Sequence, residues 1–341
     1  MVRLKSPYGR RIARECRGAL AMASARVVHR LLGRALVVRT IHGFRMRLPI
    51  DPLGMRGLPE SLIRYGTREE DQVHLVRDAL RPGMVVADVG ANIGYYTLLA
   101  ASLVGKNGRV YAIEPASENL RLLVENVELN AQSDTVEVFQ FGISEAPGRG
   151  QLHLSELRNC HAFLPDRPHP RSVAASRAVS EEVELVDFTT FAESRRPIDF
   201  VRMDIEGYEV KVLRGMHSYI ERTSHPMRIL FEAHRSRYGP GDLDMRRELA
   251  HFFDNGFGPD VLIAKPLNDS KPWGRHPFTN RGYAPERVIS ADGFERSLFR
   301  GITRNDALDY VCDIGCVRAL LVSRPSPDAS GRPDSPGGGM P

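Results

Sequence analysis

Short apolar runs separated by polar loops recur along the chain and predict alternating strands and helices. The predicted strands span residues 85–89, 109–114, 136–141, 199–204, 228–234, 261–264 and 317–322. Helices are predicted at 95–104 and at 117–130, where apolar residues recur on one face. Alternating strands and helices with apolar strands indicate an α/β protein with a doubly wound, mostly parallel sheet.

The regions that flank this pattern divide the chain further. Two alternating runs around His42-Gly43 predict a β-hairpin, and Thr67 followed by Glu70 predicts a helix start. Residues 145–182 and 265–309 are irregular in pattern and predict insertions. We therefore divide the chain into the following parts: a helical extension at 1–34, a hairpin with helices at 35–82, the main domain at 83–324, and a tail at 325–341 that is disordered by composition.

Composition narrows the class of protein. Hydrophobic residues make up 42% and charged residues 26% of 341 residues, which is enough for a substantial core. No stretch approaches the roughly 20 apolar residues of a membrane span. Four scattered cysteines, Cys16, Cys160, Cys312 and Cys316, are too few for a disulfide framework. These features predict a cytoplasmic protein in a reducing compartment.

Charge is divided unevenly along the chain. Residues 1–47 hold twelve Lys/Arg and one acid, a net charge of +11, so the other residues sum to −6. An acidic body disfavours a nucleic-acid partner. The basic residues 1–34 predict weak contact with anionic membrane surfaces, although the same segment could instead fold back onto the acidic body.

A glycine-containing loop follows the first main strand and predicts a ligand site. The segment is Asp88-Val-Gly-Ala-Asn-Ile-Gly-Tyr95. It lacks the glycine spacing of a dinucleotide fingerprint, and its acid would repel a pyrophosphate. S-adenosylmethionine carries a sulfonium and an ammonium group, and it fits better. Glu114 ends the second strand, where a carboxylate can accept hydrogen bonds from ribose hydroxyls.

Gly142-Ile143-Ser144 follows the third strand, either beside the adenine or as a plain turn. The residues predicted to bind the cofactor are Asp88, Gly90, Ala91, Asn92, Gly94, Tyr95, Glu114, Gly142, Ile143 and Asp204.

Polar residues at the ends of the fourth and fifth strands predict the catalytic group. Asp204 ends one strand, and Glu232 and His234 share a face of the next, so the three should converge. His234 has the intrinsic pKa of a general base for a hydroxyl. A salt bridge from Glu232 to His234 or Arg235 is the structural alternative. The same residues could hold Mg²⁺, although no metal is predicted because more carboxylates would be needed.

Other polar residues near these strand ends receive simpler interpretations. Glu206 and Glu209 suit the first turn of a helix through its dipole. Asn159 and His161, in the first insertion, could touch substrate, although an ordinary surface loop explains them as well.

Four segments together resemble the FkbM family of S-adenosylmethionine-dependent methyltransferases. They are Asp88-Val-Gly-Ala-Asn-Ile-Gly-Tyr-Tyr-Thr, Ile113-Glu-Pro, Met203-Asp-Ile-Glu-Gly-Tyr-Glu and Leu213-Arg-Gly-Met. The resemblance covers residues 35–235 and implies a class I fold with a seven-stranded sheet. It also implies methylation of a hydroxyl on a small molecule or glycan.

The sequence departs from the family pattern in two places. Arg202 stands where the family usually has Lys, and the region after 258 has no counterpart in the family. We expect the acceptor to be recognised there.

Two functions are alternatives to methylation of a small molecule or glycan. One is a methyltransferase for protein or nucleic acid, and the other is a cofactor-binding scaffold without catalysis.

Overall fold

The computed structural model describes residues 15–25, 27, 36–50, 57–154, 161, 163, 179–265 and 277–326. The strands, in chain order, are β1 (Leu36–Ile41), β2 (Phe44–Pro49), β3 (Val85–Val89), β4 (Arg109–Ile113), β5 (Val136–Phe139), β6 (Gly142–Ser144), β7 (Gly148–Leu154), β8 (Val179–Asp187), β9 (Phe200–Met203), β10 (Met227–Glu232), β11 (Gly258–Ala264), β12 (Arg287–Ala291), β13 (Phe294–Phe299) and β14 (Val317–Arg324). The helices are α1 (residues 15–25), α2 (Leu58–Tyr65), α3 (Glu70–Ala79), α4 (Tyr95–Val104), α5 (Ser117–Leu129), α6 (Phe188–Glu193), α7 (Glu209–Gly215), α8 (His217–Arg222), α9 (Met245–Asp254), α10 (Pro277–Asn280) and α11 (Arg304–Leu308).

A nine-stranded sheet forms the centre of the molecule, in the order β12-β13-β11-β14-β10-β9-β3-β4-β5. The neighbours from β10 to β5 pair in parallel, and β14 runs antiparallel to both β10 and β11. The predicted α/β sheet is confirmed, but it has nine strands among the described residues rather than seven. The two at the β12 edge form a hairpin inside residues 265–309.

The central strands are apolar because both of their faces are covered. All five residues of β3 are buried, and successive side chains point to opposite faces. Val85, Ala87 and Val89 join a core covered by α6 to α9 and α11. Val86 joins the opposite core, which is covered by α1 to α5.

The extension contains one described helix, α1, which packs on α2. Met22 and Ala25 are buried, and Gly18 lies against Tyr65. Leu20 and Val27, on the other side, are 68% and 53% exposed. The predicted hairpin at 36–48 is present as β1 and β2. Residues 1–14 and 28–35 lie outside the described residues.

The two insertions are more regular than their sequences indicate. Residues 145–182 contain β7 and the start of β8, which pair with each other in a separate three-stranded sheet that is completed by β6. Residues 265–309 contain α10, β12, β13 and α11. The prediction of irregular structure is therefore wrong for these parts. Residues 155–160, including Asn159 and Cys160, and residues 266–276 and 327–341 lie outside the described residues. Within the described ranges, every helix is too short or too polar to cross a membrane.

Candidate functional site

Two adjoining clefts open where β3, β4, β9 and β10 end. Ligands bind at this edge in open α/β sheets. Both clefts are lined by Gly90, Asn92, Asp204 and Glu206, which mark their junction. The first, here named the Glu114 cleft, is also lined by Glu114, Pro115, Asn119, Leu152, His161, Phe163 and Ile205. The second, the His234 cleft, is also lined by Leu58, Arg68, Glu69, Ala91, Tyr95, Tyr96, Arg202, Glu232 and His234.

The loop after β3 needs glycine at its first position. Gly90 has a φ of +80°, and a Cβ there would lie 2.6 Å from the backbone oxygen of Asp204. The loop after β3 therefore touches the loop after β9. Gly94, with a φ of +95°, precedes α4, where a Cβ would lie 2.8 Å from Leu123. Gly94 shapes the loop without lining either cleft.

Glu114 faces the first cleft while fixing the same loop. Its Oε2 accepts a hydrogen bond from the Asn92 backbone N–H at 2.8 Å, and its Oε1 accepts one from the Ala116 N–H at 3.0 Å. Burial raises the pKa of Glu114 to about 7 despite these donors. Its carboxylate is therefore part-protonated at neutral pH.

Asp88 lies beneath the loop and lines neither cleft. Its Oδ2 accepts a hydrogen bond from Thr97 at 2.7 Å, and its Oδ1 lies 3.6 Å from the Arg202 guanidinium. Burial raises the pKa of Asp88, and Arg202 opposes that shift. The structure places Asp88 as a buried support for Arg202 and α4, and its contact with the cofactor stays a prediction.

The other predicted cofactor residues divide between the clefts and the core. Ala91 and Tyr95 line the His234 cleft, and the Tyr95 hydroxyl donates to the Arg68 backbone oxygen at 2.8 Å. Gly142 and Ile143 are buried in β6 and pair with β8. They form a strand rather than a plain turn, and their contact with the adenine stays a prediction.

Asp204 stands at the junction of the clefts and is held by Arg202. The Arg202 guanidinium donates to Asp204 Oδ2 at 2.9 Å and lies 4.2 Å from the centre of the Tyr96 ring. Arg202 is 6% exposed, so its charge is available only to Asp204 and the other groups packed around it.

His234 follows the end of β10, so strand periodicity does not place its side chain. Its Nδ1 donates to Glu209 at 3.0 Å, and its Nε2 lies 3.6 Å from Glu206 and 3.9 Å from Asp204. Burial lowers the pKa of His234, but Glu209, Glu232 and Glu206 together raise it to about 10. An imidazolium has no lone pair for a proton, so the structure favours a carboxylate as general base.

Glu232 lines the His234 cleft with Asp204 and His234, as predicted, but its partners differ from those proposed. Its Oε1 accepts from Arg318 at 3.0 Å, and its Oε2 accepts from Gln72 at 3.1 Å. Burial raises the pKa of Glu232 against the attraction of Arg318.

Glu69 and Glu206 both line the His234 cleft, although the sequence gives no sign of Glu69 and indicates only a helix-dipole role for Glu206. Both, together with Asn92, have a φ between 52° and 56°. This region costs a residue with a Cβ about 1–2 kcal/mol, and such residues concentrate at functional sites. The sequence signal was weak because an acid near a helix start normally complements the helix dipole. Leu152 and Phe163 were missed because they belong to the insertion.

Residue types suited to a metal ion occur in two overlapping groups. The ligand atoms of Asp204, Glu206 and His234, and those of Glu69, Asp204 and Glu232, lie within 4.8 Å of one another. Arginines already neutralise most of these carboxylates: Arg202 binds Asp204, and Arg318 binds Glu69 and Glu232. The arrangement therefore favours hydrogen bonding over metal coordination.

The family model described as the methyltransferase FkbM domain matches residues 88–257. Among curated proteins, protein-L-isoaspartate O-methyltransferase of Triticum aestivum is 35% identical over 127 residues, which span 34% of this chain and 55% of that protein. Hexuronic acid methyltransferase AglP of Haloferax volcanii is 24% identical over 153 residues, which span 45% of this chain and 58% of that protein. The chain thus spans well under two thirds of these relatives.

Solved structures of methyltransferases resemble this chain at low identity and low TM-score. The FkbM methyltransferase from Methylobacillus flagellatus has a TM-score of 0.38 and 16% identity, covering 71% of this chain and 53% of its own. M. jannaschii TYW2, solved with AdoMet, has a TM-score of 0.37 and 14% identity over 85% of each chain.

The domain match begins at Asp88 and includes the loop, Glu114, Asp204 and His234, so it covers much of both clefts. The α/β sheet with these clefts at its strand ends is the predicted class I methyltransferase fold, and S-adenosylmethionine is its cofactor. This chain belongs to the FkbM family of S-adenosylmethionine-dependent methyltransferases.

Proposed function

We propose that this protein transfers the methyl group of S-adenosylmethionine to a hydroxyl oxygen of a small molecule or glycan. One observation carries the proposal: Asp204 lines both clefts. A carboxylate therefore stands between the cofactor cleft and the cleft left for an acceptor. A hydroxyl is a weak nucleophile at neutral pH, and a positioned base that removes its proton meets that need.

The Glu114 cleft fits the nucleoside part of the cofactor. A carboxylate has about four acceptor sites, so the donors from Asn92, Ala116 and Asn119 leave room on Glu114 for a ribose hydroxyl. Leu152 and Phe163 offer apolar surface to a base. When bound, S-adenosylmethionine supplies an electrophilic methyl group on a positively charged sulfur.

Residues of the His234 cleft have different roles in the proposed methyl transfer. Asp204 accepts the hydroxyl proton while Arg202 holds its carboxylate in place. The His234 imidazolium, fixed by Glu209, places a positive charge 3.9 Å from the Asp204 carboxylate. His234 is thus a positioning and electrostatic residue in this scheme, whereas the sequence assigned it the proton itself.

Methylation of a protein is the second candidate, because several relatives are protein-L-isoaspartate O-methyltransferases. These matches span only 17–34% of this chain. The relative that acts on a hexuronic acid matches a longer part, 45%. We therefore rank the small-molecule or glycan acceptor first.

Transfer of a radiolabelled methyl group tests the proposal. Purified protein is incubated with labelled S-adenosylmethionine and, separately, with glycosides, an isoaspartyl peptide and RNA. Label on a glycoside oxygen supports the proposal, and the Asp204→Asn variant should then lower turnover roughly 10²–10⁴-fold with little change in cofactor affinity. Label on the peptide alone supports the second candidate. Binding of S-adenosylmethionine in calorimetry without label on any acceptor would indicate a cofactor-binding scaffold, and failure to bind it would overturn the proposal.

A further inference from the structure

A buried ionic cluster connects the His234 cleft to the last strand of the sheet. Arg318 of β14 donates to Glu69 and to Glu232 at 3.0 Å each, and it lies 3.6 Å from Asp71. Asp71 in turn accepts from Arg296 of β13 at 2.8 Å. Arg296 and Arg318 both lie beyond residues 88–257. The C-terminal strands therefore support carboxylates that face the cleft.

Glu69 is the most firmly held of these carboxylates. Its side chain accepts from Arg68 at 3.0 Å, Arg318 at 3.0 Å and the Tyr96 hydroxyl at 3.1 Å. Its backbone N–H donates to Asp292 at 3.1 Å. These contacts hold a 4% exposed residue in the left-handed conformation. Such support of a strained residue preorganises a binding group.

The charges of the cluster indicate what it binds. Carboxylate oxygens of Glu69, Asp204 and Glu232 lie within 4.8 Å of one another, a distance at which bare anions repel strongly. Arg318 compensates Glu69 and Glu232, and Arg202 compensates Asp204. The result is a group of fixed hydrogen-bond acceptors without a large excess of charge. Neutral donors such as hydroxyls suit it.

We propose that Glu69 and Glu232 bind a second hydroxyl, adjacent to the one that Asp204 deprotonates, so that the acceptor is a vicinal diol. Glu69 is then a specificity-determining residue, and Arg318 is a positioning residue. This inference rests on the proposed function. A carboxylate has about four acceptor sites; Arg68, Arg318 and Tyr96 fill three of those on Glu69, and Arg318 and Gln72 fill two of those on Glu232. A mono-hydroxyl acceptor would leave the remaining sites without a donor, and sites built for a substrate hydroxyl reject analogues that lack it.

The first experiment separates acceptor binding from cofactor binding. Calorimetry with S-adenosylmethionine compares the wild type with the Glu69→Gln and Glu70→Gln variants. Glu70 is the control, since it bonds to Thr67 and lines neither cleft. The expected result is a cofactor Kd within about twofold of the wild type for both variants. A tenfold or greater increase for Glu69→Gln alone would assign Glu69 to the cofactor and overturn the inference.

The second experiment measures labelled methyl transfer to matched acceptors: methyl α-D-mannopyranoside against its 3-deoxy form, which has no vicinal pair of hydroxyls, and catechol against phenol. We expect each vicinal diol to exceed its partner without one by about 10²-fold or more in kcat/KM. Glu69→Gln should raise the diol KM at least about tenfold, Arg318→Lys should retain part of the activity lost in Arg318→Met, and Glu70→Gln should match the wild type.

Three outcomes would overturn the inference: equal transfer to both members of a pair, no transfer to any diol by protein that binds the cofactor, or activity that requires added Mg²⁺ and disappears with a chelator. Transfer to a peptide or RNA alone, or no cofactor binding, would instead defeat the proposed function.

Discussion

Replacing Glu114 by alanine should weaken S-adenosylmethionine binding through the loss of a ribose hydrogen bond. A hydrogen bond to a charged acceptor contributes about 1.5–3 kcal/mol, which corresponds to a roughly 10- to 150-fold increase in Kd. The backbone N–H groups of Asn92 and Ala116 also lose their acceptor. The alanine variant should therefore lose some thermal stability as well, and Glu114→Gln, which keeps one acceptor oxygen, should lose less.

Calorimetric titration at several pH values provides the assay. Because burial raises the pKa of Glu114 to about 7, the carboxylate forms between pH 6 and 8. Wild-type affinity should accordingly rise with pH across that range, by up to about tenfold if only the ionised form binds. The Glu114→Gln variant should show a flat profile. An unchanged Kd in a folded alanine variant would remove Glu114 from the cofactor site.

Three further predictions concern the other site residues and the extension. The pKa of His234 is raised to about 10, so its imidazole stays protonated through pH 6–7. Turnover should therefore not rise in that range, and it should fall as the pH approaches 10. A rise in turnover near pH 6.5 that His234→Gln abolishes would contradict this prediction. Gly90→Ala should abolish cofactor binding, because its Cβ would lie 2.6 Å from a backbone oxygen. The control is Gly83→Ala, which is also at positive φ but has open space around it, and it should retain binding. Equal calorimetric affinities of the two variants for S-adenosylmethionine would refute the steric argument. We also propose that the +8 net charge of residues 1–34 and the exposed Leu20 favour binding to anionic membranes. The chain should then co-sediment with anionic rather than neutral vesicles. High salt and the Leu20→Asp substitution should each reduce the bound fraction. Equal sedimentation with both vesicle types would exclude an electrostatic anchor.

Strands buried on both faces were predictable from sequence because apolar residues fill most of their positions. In the five-residue β3, every residue is buried and all but Asp88 are apolar. The edge hairpin was not predictable, since only Ala291 of β12 is buried and the rest alternates without a clear apolar face. In β7 only Leu152 is buried. Partly exposed edge strands of this kind leave little periodicity to detect.

The candidate site was predictable where the backbone itself imposed residue types. Gly90 indicated a place where two parts of the backbone come close together, and Glu114 indicated a hydrogen-bond acceptor at the end of a strand. Asp88 ends a strand as predicted, but the sequence could not show that its carboxylate is buried against Thr97 and Arg202. Glu69 was hidden because its role depends on Arg318, which lies 249 residues later in the chain. Contacts this distant leave no local pattern.

The position of β14 governs how the molecule can be synthesised. The strand is the last in the described chain, yet it lies between β10 and β11 in the sheet. During translation β10 and β11 are made before β14, so the place between them in the sheet stays unfilled until β14 is synthesised. Glu69 and Glu232 lack their partner Arg318 until the same point. Until then β10, with four of six residues buried in the finished protein, presents an open apolar edge of the kind that recruits other chains. Chains that terminate before Val317 should therefore aggregate rather than survive as a smaller enzyme.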